Sequence, residues 1–182
     1  MGVEPEMLRD DMIERLRALD EEASLTFDNI ERMHLIIVGG GALVLMNVIT
    51  RATHDIDAFY IPNKLQSMMA AYDINTKVSG YMYSFPFNLE DRIQPVDVGG
   101  KLIDFYTASL EDIVIAKLCS PRDTDIKDIE DAGVLAAIDW DMLHHLATSE
   151  DELCMSGMSE NRYKEFLDVF TEYERRFRPC DS

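Results

Sequence analysis

Apolar side chains fall at helical spacing at the start of the chain. Over residues 5–20, Leu8, Met12, Leu16 and Leu19 recur three or four residues apart with Arg, Asp and Glu between them, which predicts an amphipathic helix. A shorter helical pattern follows over residues 24–33, with Phe27 and Ile30 inward. The pattern then changes. Leu35-Ile36-Ile37-Val38 is a β-branched run stopped by glycine and predicts a buried strand. Ala42 to Val48 is apolar and rich in helix formers, so a buried helix is expected there. Arg51-Ala52-Thr53-His54 is a polar break. Asp55 to Tyr60 then alternates polar and apolar side chains as a second strand would, and Pro62 ends it.

Residues 64–73 predict a surface helix, and residues 77–87 and 92–98 look like strands. Gly99-Gly100 is a hairpin-type turn, with Leu102 to Thr107 as the strand after it. Ser109, followed three residues later by Asp112, marks a helix start, and that helix runs through Leu118 to a break at Pro121. Helices are expected from Asp125 to Ala137, over 139–147 and over 159–177. The last carries Phe166, Leu167, Phe170, Tyr173 and Phe177 on one face.

This order defines an α+β (mixed α/β) class: a mixed sheet flanked by helices, with a helical C-terminal part. Three segments are expected: N-terminal helices over 1–33, a core over 34–120 and a helical part over 121–182.

Charge narrows the function classes. Against 17 Lys and Arg stand 35 Asp and Glu, a net charge of −18. Such a surface does not favour broad, sequence-independent binding of nucleic acid. The three cysteines, Cys119, Cys154 and Cys180, form no CxxC pair and no metal spacing with His, so reduced thiols and a cytoplasmic setting are expected. Leu35 to Thr50 is uncharged but too short to span a bilayer comfortably, so no membrane segment is expected.

Candidate chemistry concentrates between Gly39 and Asp57. A strand delivers the chain to Gly39-Gly40-Gly41, where backbone can approach a ligand closely. The pattern is neither a Walker A loop, since no Gly-Lys-Ser/Thr follows, nor a dinucleotide GxGxxG motif. Asp55 and Asp57, two apart on a strand, point to one face. Their mutual repulsion is relieved by a divalent cation, and hard oxygen ligands suit Mg²⁺, with Mn²⁺ as a substitute. A third carboxylate on a neighbouring strand would permit two-metal phosphoryl or nucleotidyl transfer.

Val38-Gly39-Gly40-Gly41-Ala42-Leu43 followed by Arg51-Ala52-Thr53-His54-Asp55-Ile56-Asp57 resembles the signature of the AbiEii/AbiGii toxin-type nucleotidyltransferases and their uncharacterised relatives, in the polymerase-β-like superfamily. Ser109 to Leu118, then Arg122, Asp125 and Asp128, is similar to a later segment of those proteins. The similarity covers roughly residues 33–135.

The resemblance implies that Gly39, Gly40 and Gly41 shape a phosphate loop supported by Arg51 and Thr53, and that Asp55 and Asp57 hold Mg²⁺. Lys117 either places a positive charge near the phosphates or pairs with Asp125 or Asp128. The third catalytic and metal-binding carboxylate is expected at Asp97, with Asp104 as the alternate and Asp91 a weaker candidate. Gly40 stands where many active members of the superfamily carry serine.

The expected function is transfer of a nucleotidyl group from an NTP to an RNA, protein or small-molecule acceptor. The alternative is a catalytically inactive binding protein of the same fold, a toxin–antitoxin component partnered by an antitoxin or by a second copy. His54, His144 and His145 fit structural roles, and the eleven methionines fit core packing.

Overall fold

The protein, in a computed structural model, is described over residues 6–27, 31–119 and 121–179. Ile30 and Cys180 lie outside the described residues. The backbone divides into two compact units, one of residues 1–79 and 93–108, the other of residues 80–92 and 109–182.

The first unit is built on a five-stranded sheet in the order β3-β2-β1-β5-β4. Helix α1 (Arg9–Thr26) precedes β1 (Met33–Val38), which runs directly into α2 (Gly39–Leu45) and then β2 (Ile56–Phe59). α1 extends six residues past the expected end and absorbs part of the second predicted helix. Its inner face holds Met12, Leu16, Leu19 and Ala23, all fully buried. Burial of each larger side chain there contributes about 1.5–3 kcal/mol. The central strand β1 pairs antiparallel with β2 and parallel with β5 (Ile103–Thr107). β4 (Gln94–Val96) closes the far side antiparallel to β5, and the two-residue β3 (Ile74–Asn75) runs parallel to β2. The expected helix over 64–73 is broken into a 3₁₀ turn, the short α3 (Gln66–Met69) and a second 3₁₀ turn. Asp73 then turns the chain into β3 from the left-handed region, at φ 56°.

Asp20, only 1% exposed, ties α1 to the turn before β5. Its carboxylate accepts the backbone N–H groups of Lys101, Leu102 and Ile103 at 2.6, 2.8 and 2.7 Å.

The expected strand over 77–87 is instead a 3₁₀ stretch over Lys77–Ser84. Within it Val78 is buried and Tyr81 exposed, and Phe85 and Leu89 are buried beyond its end.

The second unit is helical from residue 109 onward: α4 (Leu110–Cys119), α5 (Asp123–Ile129), α6 (Ala132–Ala137), α7 (Trp140–Thr148), α8 (Glu150–Cys154) and α9 (Glu160–Phe177). Ser109 caps α4 as expected, its hydroxyl accepting the Asp112 N–H at 3.1 Å and donating to the Asp112 carboxylate at 2.8 Å. That fully buried carboxylate also takes two hydrogen bonds from the Arg92 guanidinium. The single helix expected from Asp125 to Ala137 is two helices, because the Asp131 side chain accepts the Gly133 N–H at 2.8 Å and starts α6 afresh. On α9, Tyr163, Phe166, Phe170 and Tyr173 are buried, while Leu167 and Phe177 are half-buried. Among the described residues, no helix is long and apolar enough to cross a membrane.

Candidate functional site

The glycine turn and the Asp55–Asp57 stretch meet through strand pairing. β1 and β2 are antiparallel with Val38 opposite Asp57, so the end of β1 that enters Gly39 lies beside the start of β2. Each glycine then faces part of the second motif. Gly39 sits at φ 65°, and a Cβ there would lie 3.0 Å from Asp57 Oδ2. A Cβ on Gly40 would lie 2.7 Å from a terminal nitrogen of Arg51. One on Gly41 would meet the Met12 methyl at 3.1 Å and the Asp55 carbonyl at 3.5 Å. Glycine is needed at Gly39 on two counts, a left-handed backbone and a carboxylate against it.

The approach to β2 is held from several sides. Thr53 is buried, its hydroxyl donating to the Asp55 carbonyl at 3.1 Å. The backbones of Thr53 and Met7 exchange two hydrogen bonds, at 2.7 and 2.9 Å. Arg51 donates to the Ala52 carbonyl at 3.0 Å. Ile56, fully buried, separates an exposed Asp55 from a half-buried Asp57. Asp55 stands just before β2 and Asp57 within it, one on either side of Ile56. Asp57 Oδ1 accepts a hydrogen bond from the Asn75 side-chain amide at 2.9 Å, across the paired strand β3. The sequence reasoning missed Asn75; its only signal is a polar residue after Ile74, in a strand too short to show alternation.

Asp97 and Asp104 are not brought to this pair. On β5, Asp104 is level with His34, four residues before Val38, the residue level with Asp57. Four residues along a strand and two strand spacings across make a separation of about 16 Å between the Asp57 and Asp104 backbones. Asp97 follows directly on Val96, which pairs with Phe105, so it too belongs to the far end of the sheet. Asp97 and Asp104 instead line a cavity of about 220 Å³ together with Arg32. The Arg32 guanidinium grips Asp104 through two hydrogen bonds, one of 2.9 Å, and donates to the Lys101 and Gly100 carbonyls. That hydrogen bonding holds the Asp104 carboxyl below its ordinary value. The physical reason is register: β1 and β5 are parallel, so a residue early in β5 is carried away from the glycine end of β1.

Lys117 stands in the second unit. Its ammonium donates to Asp125 at 2.6 Å and to Asp128 at 2.9 Å, with all three side chains buried. Of the two roles weighed for it, the structure displays ion pairing. Arg122 adds hydrogen bonds of its own to Asp125. Burial alone would raise the Asp125 carboxyl; the hydrogen bonds from Arg122 and Lys117 prevail and hold it below its usual value.

Among the described residues, no group of three or more His, Cys, Asp and Glu is placed to hold a metal. The donor set of Asp55 and Asp57 still fits one Mg²⁺. That ion is commonly bound by one or two carboxylates, completed by water and substrate phosphates. The two-metal set expected with Asp97 or Asp104 does not fit this geometry.

The glycine turn thus lies beside the aspartate pair in an α+β fold with a mixed sheet. The chain belongs to the family described as nucleotidyltransferases of unknown function (DUF6036), whose model matches residues 14–178. The match supports the expectation of a nucleotidyltransferase family and says nothing of the AbiEii/AbiGii branch. No curated protein and no solved structure matches the chain.

Proposed function

We propose that the protein uses Mg²⁺ to transfer a nucleotidyl group from an NTP to an acceptor hydroxyl, at the site formed by Gly39, Gly40, Gly41, Arg51, Thr53, Asp55 and Asp57. The carrying observation is that a Cβ on any of the three glycines of the turn would meet the second motif, the one on Gly39 lying 3.0 Å from Asp57 Oδ2. A side chain at Gly39 would fill the space where phosphate and carboxylate must share a cation. Asp55 and Asp57 would hold Mg²⁺, or Mn²⁺ in its place, and the turn would admit the triphosphate. Arg51 would add positive charge beside Gly40, and Thr53 would fix the approach to the two aspartates. Mg²⁺, when bound, neutralises charge on the phosphate oxygens. The acceptor hydroxyl displaces pyrophosphate from the α-phosphorus. With a net charge of −18, a protein or small-molecule acceptor suits the surface better than a long nucleic acid.

A second reading has a specific observation behind it. Asp97 and Asp104 lie at the far end of the sheet from Asp57, with Asp104 held by Arg32, which favours a member that binds Mg²⁺·NTP without turnover, as a toxin–antitoxin component would after losing catalysis.

Transfer of label from α-labelled NTPs to cell-extract acceptors, with Mg²⁺ present, separates the two. Transfer should fall roughly a hundredfold or more in Asp55→Ala and Asp57→Ala, since a bound cation supplies several kcal/mol of charge stabilisation. NTP binding with no transfer selects the second reading. Absence of Mg²⁺-dependent NTP binding by the wild type overturns both.

A further inference from the structure

Asp57 has its two oxygens sorted by its surroundings. Oδ1 accepts the Asn75 amide N–H at 2.9 Å, while Oδ2 is on the side of the glycine turn, 3.0 Å from where a Cβ on Gly39 would stand. Asn75 is itself oriented. Its side-chain oxygen accepts the Lys77 backbone N–H at 3.0 Å, so the NH₂ end must face Asp57. Asn75 is also the strand partner of Asp57 in the β2–β3 register, so backbone pairing and side-chain bond lock the same two residues together.

We infer that Asn75 is a positioning residue for the metal site: its amide fixes the Asp57 carboxylate so that Oδ2 is turned to the glycine turn, where a divalent cation bound to NTP phosphates would sit. The inference rests on the metal-dependent reading above and goes beyond it in assigning a role to a residue outside both motifs. Groups that orient a metal-ligating carboxylate from behind typically govern affinity or activity by 10–100-fold, without touching the metal. An amide suits this better than a second carboxylate. It donates to Asp57 and adds no like charge beside Asp55.

The test is Mn²⁺ binding to the full chain, followed by electron paramagnetic resonance, in wild type, Asn75→Ala and Asp57→Ala, with thermal unfolding recorded for each. The expectation is one Mn²⁺ site in wild type, its loss in Asp57→Ala, and a dissociation constant raised about tenfold or more in Asn75→Ala at unchanged stoichiometry. Asn75→Asp is the companion variant. It keeps the acceptor for the Lys77 N–H and loses the donor to Asp57, so its bound-Mn²⁺ spectrum should differ from that of the wild type.

A purely structural Asn75 would lower the unfolding temperature of Asn75→Ala and leave its dissociation constant at the wild-type value. That result overturns the inference and leaves the metal site standing. If the wild type binds Mn²⁺ no better than Asp57→Ala, the metal-site reading itself fails, and the role of Asn75 with it.

Discussion

Asp20 offers the sharpest test of the physical reasoning, because one carboxylate does three distinguishable jobs. Oδ1 accepts the N–H groups of Leu102 and Ile103, and Oδ2 accepts that of Lys101. In Asp20→Ala all three donors lose their partner. Lys101 is exposed, so its N–H can turn to water, but the Leu102 and Ile103 bonds are buried. A buried donor left unsatisfied costs about 1–3 kcal/mol, so the two together cost roughly 2–6 kcal/mol. In Asp20→Asn the remaining carbonyl oxygen can still serve Leu102 and Ile103. Only the Lys101 bond is lost, at about 1–2 kcal/mol.

The assay is urea unfolding at pH 7, followed by far-UV circular dichroism. With a slope of about 2 kcal/mol per molar, a loss of 4 kcal/mol lowers the midpoint by about 2 M. That is a large part of the 5–15 kcal/mol by which folded domains are typically stable. An alanine variant within about 1 kcal/mol of wild type would refute the argument. An asparagine variant as damaged as alanine would refute the division of labour between the two oxygens.

Gly39→Ala should lose about 1–2 kcal/mol from the left-handed backbone alone, more from the 3.0 Å approach to Asp57, and should bind Mg²⁺·NTP more weakly than Gly40→Ala, where the Arg51 end can swing aside; equilibrium titration with a fluorescent NTP checks the order. Lys117→Met should cost roughly 3–5 kcal/mol in urea unfolding, because it leaves Asp125 and Asp128 buried without their ammonium. The Asp125 carboxyl is held below its ordinary value, so its contribution is present above the unfolded value of about 3.9 and is lost as pH falls through the lower folded value. Acid titration of stability below about pH 4 should show that loss in wild type and less of it in Lys117→Met. Burial pushes the Cys119 thiol up to about 12, so it should resist iodoacetamide at pH 8 in the folded protein and react fully in urea.

Much of the architecture follows from short-range pattern. β1, β2 and β5 stand where the apolar runs and alternation put them, and α9 buries its aromatic stripe. The Gly39 turn and the Asp55–Asp57 pair were also readable, because their chemistry is written into neighbouring residues. One strand leads into the turn, and Asp55 and Asp57 stand just before and inside the next. The elements that were misread depend on what surrounds them. The 3₁₀ stretch over Lys77–Ser84 carries the β-formers Val78 and Tyr81 yet pairs with no strand among the described residues, and Asp131 divides a continuous helical pattern by capping a new start.

The order of motifs along the chain determined that a glycine turn follows one strand and that an aspartate pair stands at the start of the next; the pairing of β1 with β2 brings the two together. Only the tertiary structure decided which other residues join them. A strand's register is set by long-range pairing and by which face is buried, and one strand of parallel offset carries a side chain many ångströms. Asp97 and Asp104 have strand contexts equal to that of a third ligand, yet the parallel pairing of β1 with β5 carries Asp104 to Arg32, and the pairing of β4 with β5 keeps Asp97 at that same far end. The same pairing logic brings Asn75, unremarkable in sequence, onto Asp57, because β3 adds beside β2 in register.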